Sequence, residues 1–277
     1  MKKTQSLLYA GVLATLGLTT MTLISCRRNK ELDKAEREFA SDLALAETSF
    51  QDLKSMADEA ASGQLIHFKS GEATLAGNCA TVIWDTTATP KTITIDFGTV
   101  NCLCLDGRYR RGQVIITYTG PYKQPGTVIT ITPQNYFVND NQIQGQKVVT
   151  NQGPNAQGQP VFSIVVNGTV IKTDGGTISW QSHRERTWIA GYDTPSFSDD
   201  EYSITGSAQG VNAQGNAFTL TILTPLVRSF GCKWFKSGTV KLERTGKPEI
   251  LIDYGNGACD GQIQITRNGQ TFTIQLG

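Results

Sequence analysis

From Gln64 onward the chain alternates apolar and polar residues in short runs, and each run predicts a half-buried antiparallel strand. Ile93, Ile95 and Phe97 fall on one face, with Thr92, Thr94 and Asp96 on the other. Val114, Ile116 and Tyr118 repeat the pattern, as do Phe162, Ile164 and Val166, then Phe218, Leu220 and Ile222. Asp174-Gly175-Gly176 and Asn268-Gly269 separate neighbouring runs, and Asn-Gly between alternating strands is a strong hairpin signal because both turn residues take positive φ. Nothing between the runs reads as a crossover helix, which argues against a parallel α/β sheet. The pattern predicts an all-β fold, an antiparallel sheet or sandwich of about a dozen or more strands.

The first quarter of the chain has a different period. Leu32, Phe39, Leu43, Ala46, Phe50, Leu53, Ala57 and Ala60 recur at three- and four-residue steps, so residues 30–62 read as one amphipathic helix. Lys34, Arg37, Glu38, Asp42, Glu47, Asp52 and Lys54 lie mostly off that stripe. The helix is expected to pack along an open face of the β domain, because a sheet with one apolar face needs a cover. The alternative is a stalk or coiled coil, for which two heptads are short. Ahead of it, Lys2 and Lys3 precede an apolar run from Leu7 to Ile24 that ends on small residues, the anatomy of a secretory signal peptide. The expected organisation is therefore a leader over 1–25, a tether over 26–29, the helix over 30–62 and a β domain over 63–277.

Composition sharpens this picture in two places. The formal charge is +1, and without residues 1–25 the chain carries 23 basic and 24 acidic residues, a net −1. That is no footprint for nucleic acid, which needs a clustered basic surface. With 28 glycines and many Thr, Ile and Val, the remainder reads as β-rich.

The β domain contains an internal duplication. Thr92–Gly98 carries Asp96 six residues before Cys102, and Glu249–Gly255 carries Asp253 six residues before Cys259. An Asp-Gly pair follows each, Asp106-Gly107 and Asp260-Gly261, and an earlier cysteine precedes each, Cys79 and Cys232. The repeats lie around 79–120 and 232–277. Their correspondence pairs Cys79 with Cys102 and Cys232 with Cys259, leaving Cys104 over, although sequence alone does not fix connectivity. Asp96 and Asp253 are expected to cap the turns that lead to the cysteines. A second, weaker repeat crosses Asn-Ala-Gln-Gly turns at Asn155–Gly158 and Asn212–Gly215.

Leu23-Ile24-Ser25-Cys26 resembles the lipobox of bacterial lipoprotein signal peptides. The resemblance implies cleavage before Cys26, a diacylglycerol on its sulfur and an acyl chain such as palmitate on its new amino group. Two or three chains hold a protein on a bilayer where one binds only reversibly. Together with the helix, Asp-Phe-Gly before Cys102, and Asp253-Tyr-Gly-Asn-Gly-Ala-Cys259-Asp260, the chain resembles a group of lipoproteins of the Bacteroidota. This implies a place in the cell envelope, anchored in the outer membrane, and no particular chemistry. Arg27-Arg28-Asn29-Lys30 lacks the acidic residues that follow the lipid cysteine in surface-exported members, which favours the periplasmic face. Asp85-Thr86-Thr87 resembles the O-glycosylation pattern of those bacteria, making Thr86 a candidate glycan site.

Candidate chemistry is sparse. His67 and His183 have no metal-ligand spacing to each other or to a cysteine, and no cofactor or metal is implied. In Trp180–Trp188, strand geometry puts Trp180, Ser182, Arg184, Arg186 and Trp188 on one face. They form either a recognition stripe, with arginines forking onto carboxylates or sugars between stacking tryptophans, or a solvated strand with its arginines paired to acidic neighbours. Asp140, Asp193, Asp199, Asp200 and Glu201 are candidate carboxylates for glycan cleavage or calcium, and more simply turn residues. The expected function is a non-enzymatic envelope lipoprotein that binds or scaffolds an envelope protein or glycan at the outer membrane. The alternatives are a glycan-active enzyme and a carrier holding an acyl chain under the helix.

Overall fold

The computed structural model describes residues 38–54, 56, 79–194, 198–229, 231–232 and 234–275. The leader, Cys26, the tether, His67 and the outer parts of the expected helix lie outside the described residues. Residues 38–54 form helix α1, with Met56 also helical. No helix among the described residues is long and apolar enough to cross a membrane. Two compact units divide between Ala44 and Leu45. The first contains the opening turns of α1. The second contains the rest of the helix and every described strand.

Fourteen strands make one antiparallel sheet: β1 (Thr81–Asp85), β2 (Lys91–Asp96), β3 (Cys102–Leu103), β4 (Tyr109–Tyr118), β5 (Val128–Val138), β6 (Asn141–Pro154), β7 (Pro160–Ile171), β8 (Thr177–Ala190), β9 (Glu201–Val211), β10 (Ala217–Ser229), β11 (Ser237–Arg244), β12 (Ile250–Asn256), β13 (Gln262–Arg267) and β14 (Gln270–Gln275). Each strand pairs with its neighbours in sequence, except that β2 and the short β3 both pair with β4. The result is a continuous meander and not two packed sheets.

The period-two pattern places the core as expected. Ile93 pairs with Ile116, which pairs with Ile131, and all three are buried. The inner face continues through Ile143, Val149, Val166, Phe162 and Val170 to Trp180 and Trp188 on β8. Both Asn-Ala-Gln-Gly turns close identically. Asn155 Oδ1 accepts from the amides of Gln157 and Gln159 at 3.0 and 2.9 Å, and Asn212 Oδ1 accepts from Gln214 and Asn216 at 3.2 and 2.8 Å. The larger duplication is equally regular. Asp96 accepts from the Gly98 amide at 2.7 Å and Asp253 from the Gly255 amide at 2.8 Å. Disulfides join Cys79 to Cys102 and Cys232 to Cys259, and Cys104 is free and buried. In the chain-entropy account, closing loops of 23 and 27 residues removes about 3.5 kcal/mol of unfolded-state freedom per bridge.

Within the second unit the sheet wraps α1. Asp52 of the helix meets Arg110 on β4, Glu47 meets Arg184 on β8, and the charges of Glu47 and Arg184 act on Tyr254 of β12. In a flat sheet β4 and β12 would stand about 38 Å apart, whereas residues 47 and 52 are separated by about 7.5 Å along a helix. Only a strongly curved sheet brings all three strands to one short helix. Register shifts in the β4–β5, β5–β6 and β9–β10 pairs supply the bends.

This curvature corrects one expectation. Ala46, Phe50 and Leu53 are buried as the apolar stripe requires, but Asp52 and Lys54, which fall off the stripe, are buried too. A flat sheet covers one side of a helix, and a curved one covers more. Phe50 seats against Gly168, where an added Cβ would come within 2.2 Å of the ring. The Phe50 carbonyl accepts from Lys147 Nζ at 2.8 Å, and Tyr136 Oη lies 3.7 Å from the Met56 sulfur.

Candidate functional site

Residues 98–109 form a small projection at one end of the sheet, and nearly every polar group in it is used to hold its shape. The Cys79–Cys102 bridge ties it to the start of β1. The Cys104 amide donates to Arg108 O at 2.8 Å and the Gly107 amide to Cys104 O at 3.0 Å. Asp106 accepts from the Arg108 amide at 3.2 Å. Arg111 ion-pairs with Asp140 and donates to Asn101 Oδ1 at 2.7 Å, while Asn101 donates to Asp140 at 2.9 Å. Asn139 Oδ1 accepts from the Tyr109 amide at 2.9 Å. Gly112 makes the fold of this corner possible: its φ is +88°, and a Cβ there would fall 1.9 Å from the Asn135 carbonyl oxygen.

Beneath the projection lies a buried charge cluster. Arg110 is fully buried and its NH1 and NH2 donate to Asp106 Oδ1 and Oδ2, both at 2.7 Å. NH2 also reaches Asp52 at 2.9 and 3.0 Å, and Nε donates to Tyr136 Oη at 3.1 Å. Arg108 NH1 adds a contact to Asp52 at 3.1 Å. Burial pushes the Asp106 carboxyl up, but the bonds and charge of Arg110 outweigh it and hold the group below the usual carboxylate range. Burial raises the Cys104 thiol and the Tyr136 phenol. The cluster joins α1, the projection and β4–β5 into one rigid base.

On that base the projection presents apolar groups to solvent. Val100 is 76% exposed, Leu105 61%, Leu103 56% and Tyr109 48%. The four fall within ten positions of the chain, and clustered exposed apolar side chains mark interaction sites where single ones do not. The sequence pattern did not mark these residues: Val100 and Leu105 lie outside the strands, Leu103 is in a strand of two residues, and Tyr109 only opens β4.

The Trp180–Trp188 row faces inward. Trp180 and Trp188 are buried, and Arg184 and Arg186 are half-buried. Arg184 forks onto Glu47 of α1, with NH1 and NH2 at 2.5 and 2.6 Å from its two oxygens. Arg186 lies over the rings of Phe162 and Tyr202 at 5.3 and 4.7 Å and donates to Tyr122 Oη. Trp188 packs on Tyr192 and Tyr202, and Lys123 Nζ sits 4.4 Å from the Tyr192 ring centre. This group holds β7–β9 to the Tyr122 and Tyr192 loops as well as to the helix.

The loop carboxylates are mostly engaged. Asp140 is in the projection network, Asp199 accepts from Thr194 at 2.9 Å, and Glu201 takes Lys236 at 2.7 Å and Ser229 at 2.9 Å. Bonds from Lys236 and Ser229 keep the Glu201 carboxyl low. Asp200 is buried and takes Tyr202 Oη at 2.9 Å, and burial raises its carboxyl. Asp193 is exposed, as are Thr86 and His183. Among the described residues no group of three or more His, Cys, Asp or Glu side chains is placed to hold a metal ion. Comparison with family models, with curated proteins and with solved structures found no match.

Proposed function

We propose that the chain is a lipid-tethered, non-enzymatic binding protein of the bacterial cell envelope, which docks another envelope protein through residues 98–109. The observation that carries the binding role is the display of Val100, Leu103, Leu105 and Tyr109 on a segment with almost no freedom to fold them away. Rigid display lowers the ordering cost of association, so exposed apolar area converts into affinity more efficiently than on a mobile loop. Export is supported by the two disulfides, which persist in oxidising compartments. The tether rests on Cys26 and the residues before it. A carrier role under α1 has less support, since Phe50 fills the space over Gly168 where an acyl chain would run.

Two measurements test the reading separately. Cys26→Ala is expected to remove acyl mass from the mature chain and move it from the membrane pellet to the soluble fraction; a pelleted, unlipidated variant would overturn the tether. A photo-crosslinker at Leu105, used in the native host, is expected to give one discrete protein adduct. That adduct should vanish when Val100→Asp and Leu103→Asp are added. Equal adducts from a crosslinker at the exposed Val165 on β7 would overturn the docking role, and adducts to lipid alone would replace the protein partner by the membrane surface.

A further inference from the structure

The last strand of the sheet is an open template. Asn268 and Gly269 take φ of 51° and 72°, which makes the β13–β14 connection a two-residue type I′ hairpin. In such a hairpin the closing pair, Arg267 and Gln270, exchanges both backbone bonds, and bonded pairs recur at every second residue. Phe272 and Ile274, opposite Ile265 and Ile263, therefore turn their N–H and C=O groups toward β13. Thr271, Thr273 and Gln275 turn theirs outward, to an edge on which no other described strand lies, because β14 ends the strand order among the described residues. All six residues of β14 are exposed, with Phe272 at 54% and Ile274 at 41%. The strand contains no charge, proline or glycine, which are the usual protections of an edge.

We propose that β14 is a self-association edge, and that its occupant is β14 of a second copy of this chain, antiparallel about a two-fold axis at Thr273. The strand is complementary to itself in that one register. The outward groups of Thr271, Thr273 and Gln275 meet those of Gln275, Thr273 and Thr271 on the other copy, so every free backbone group in the strand gains a partner. Phe272 then faces Ile274 of the second copy as a close, non-hydrogen-bonded pair, an aromatic–β-branched contact that stabilises antiparallel sheets. With no charge on the strand, the two-fold brings no like charges together. The contact is isologous, so it closes at a dimer and does not propagate. One strand pair is a small interface, and the dimer is reversible.

The test uses the full-length chain in mild detergent and in native membranes, independently of what residues 98–109 bind. Thr273→Cys copies should form a disulfide-linked dimer under mild oxidation, because Cα atoms of a hydrogen-bonded pair lie about 5.5 Å apart. Thr271→Cys copies should not link to themselves but should link to Gln275→Cys copies. Thr273→Pro removes only an outward N–H and leaves the hairpin ladder intact. It should lower the dimer fraction in sedimentation at least ten-fold with an unchanged thermal midpoint. Equal linking at Thr271 and Thr273 would mean random collision and overturn the proposal. Linking of Thr273→Cys to an Ile83→Cys copy on β1 in place of itself would mean an open, head-to-tail chain, and would overturn it as well.

Discussion

Replacing Arg110 by methionine will lower the unfolding free energy by about 3–5 kcal/mol, the cost of leaving two buried carboxylates with only the part-exposed Arg108 as counter-ion. Methionine keeps much of the volume, so the loss is electrostatic rather than a cavity. Asp52 and Asp106 both rely on the Arg110 NH2 group, and neither is placed to reach water freely. The pH dependence fixes the cause. The Asp106 carboxyl is held low in the folded chain, so its contribution is complete above the ordinary carboxylate range, near pH 4, and is lost as pH falls through the lower folded value. Without Arg110, burial raises the same carboxyl, and acidification relieves the variant instead. The gap between native chain and Arg110→Met in urea midpoints should therefore begin to close above pH 4, as the raised carboxyl of the variant takes up its proton, and go on closing below about pH 4 as the native contribution is lost. Adding Asp52→Asn and Asp106→Asn should recover most of the loss at pH 7, since an uncharged set has no orphaned ion. A gap that stays constant with pH, or a loss under about 1 kcal/mol, would mean that the cluster holds nothing together.

The same cluster shows what was and was not legible in the chain. Alternation over Ile93–Phe97, Val114–Tyr118 and Phe162–Val166 located the inner face, and the turn residues located the hairpins. The duplication went further and gave the cysteine partners, because equal spacing from Asp96 to Cys102 and from Asp253 to Cys259 reflects the same local turn made twice. What the pattern did not reveal is that the inner face is studded with cations. Yet the signal was present: Arg110 is in phase with Val114 and Ile116, Lys147 with Ile143 and Val149, and Arg184 and Arg186 with Trp180 and Trp188. A charged residue in the apolar phase of a strand demands a buried partner. The partners, Glu47, Asp52 and the Phe50 carbonyl, lie far away in sequence on α1. The helix stripe gave no warning of this, since helical period identifies the side that meets one flat surface and is silent about a surface that bends round. Val100, Leu103 and Leu105 were hidden for the opposite reason. Val100 and Leu105 lie in no strand and Leu103 in one of two residues, too short to show a period, and an irregular apolar residue in a sequence looks like noise until the fold leaves it in solvent.

Whether α1 is seated by shape as well as by charge is decided at Gly168. Strand-interior glycine weakens a sheet unless something approaches closely, and here the approach is double: an added Cβ would meet the Phe50 ring at 2.2 and 2.5 Å and the Gln144 carbonyl oxygen at 2.7 Å. Phe50→Ala should cost about 3–5 kcal/mol through lost burial and the cavity left behind. Gly168→Ala in the native chain should cost about 2–3 kcal/mol, since both the ring and the β6 backbone must give way. In the Phe50→Ala background the ring clash is gone and only the carbonyl contact remains, so the same substitution should cost roughly half as much. A double-mutant cycle in urea should thus show a coupling of about 1–2 kcal/mol, positive in the sense that the two losses do not add. Amide exchange over residues 45–54 supplies the second reading: Gly168→Ala should speed exchange there before it affects β10–β12. Strict additivity of the two substitutions would place Phe50 away from Gly168, and the fit of ring to glycine would then play no part in seating the helix.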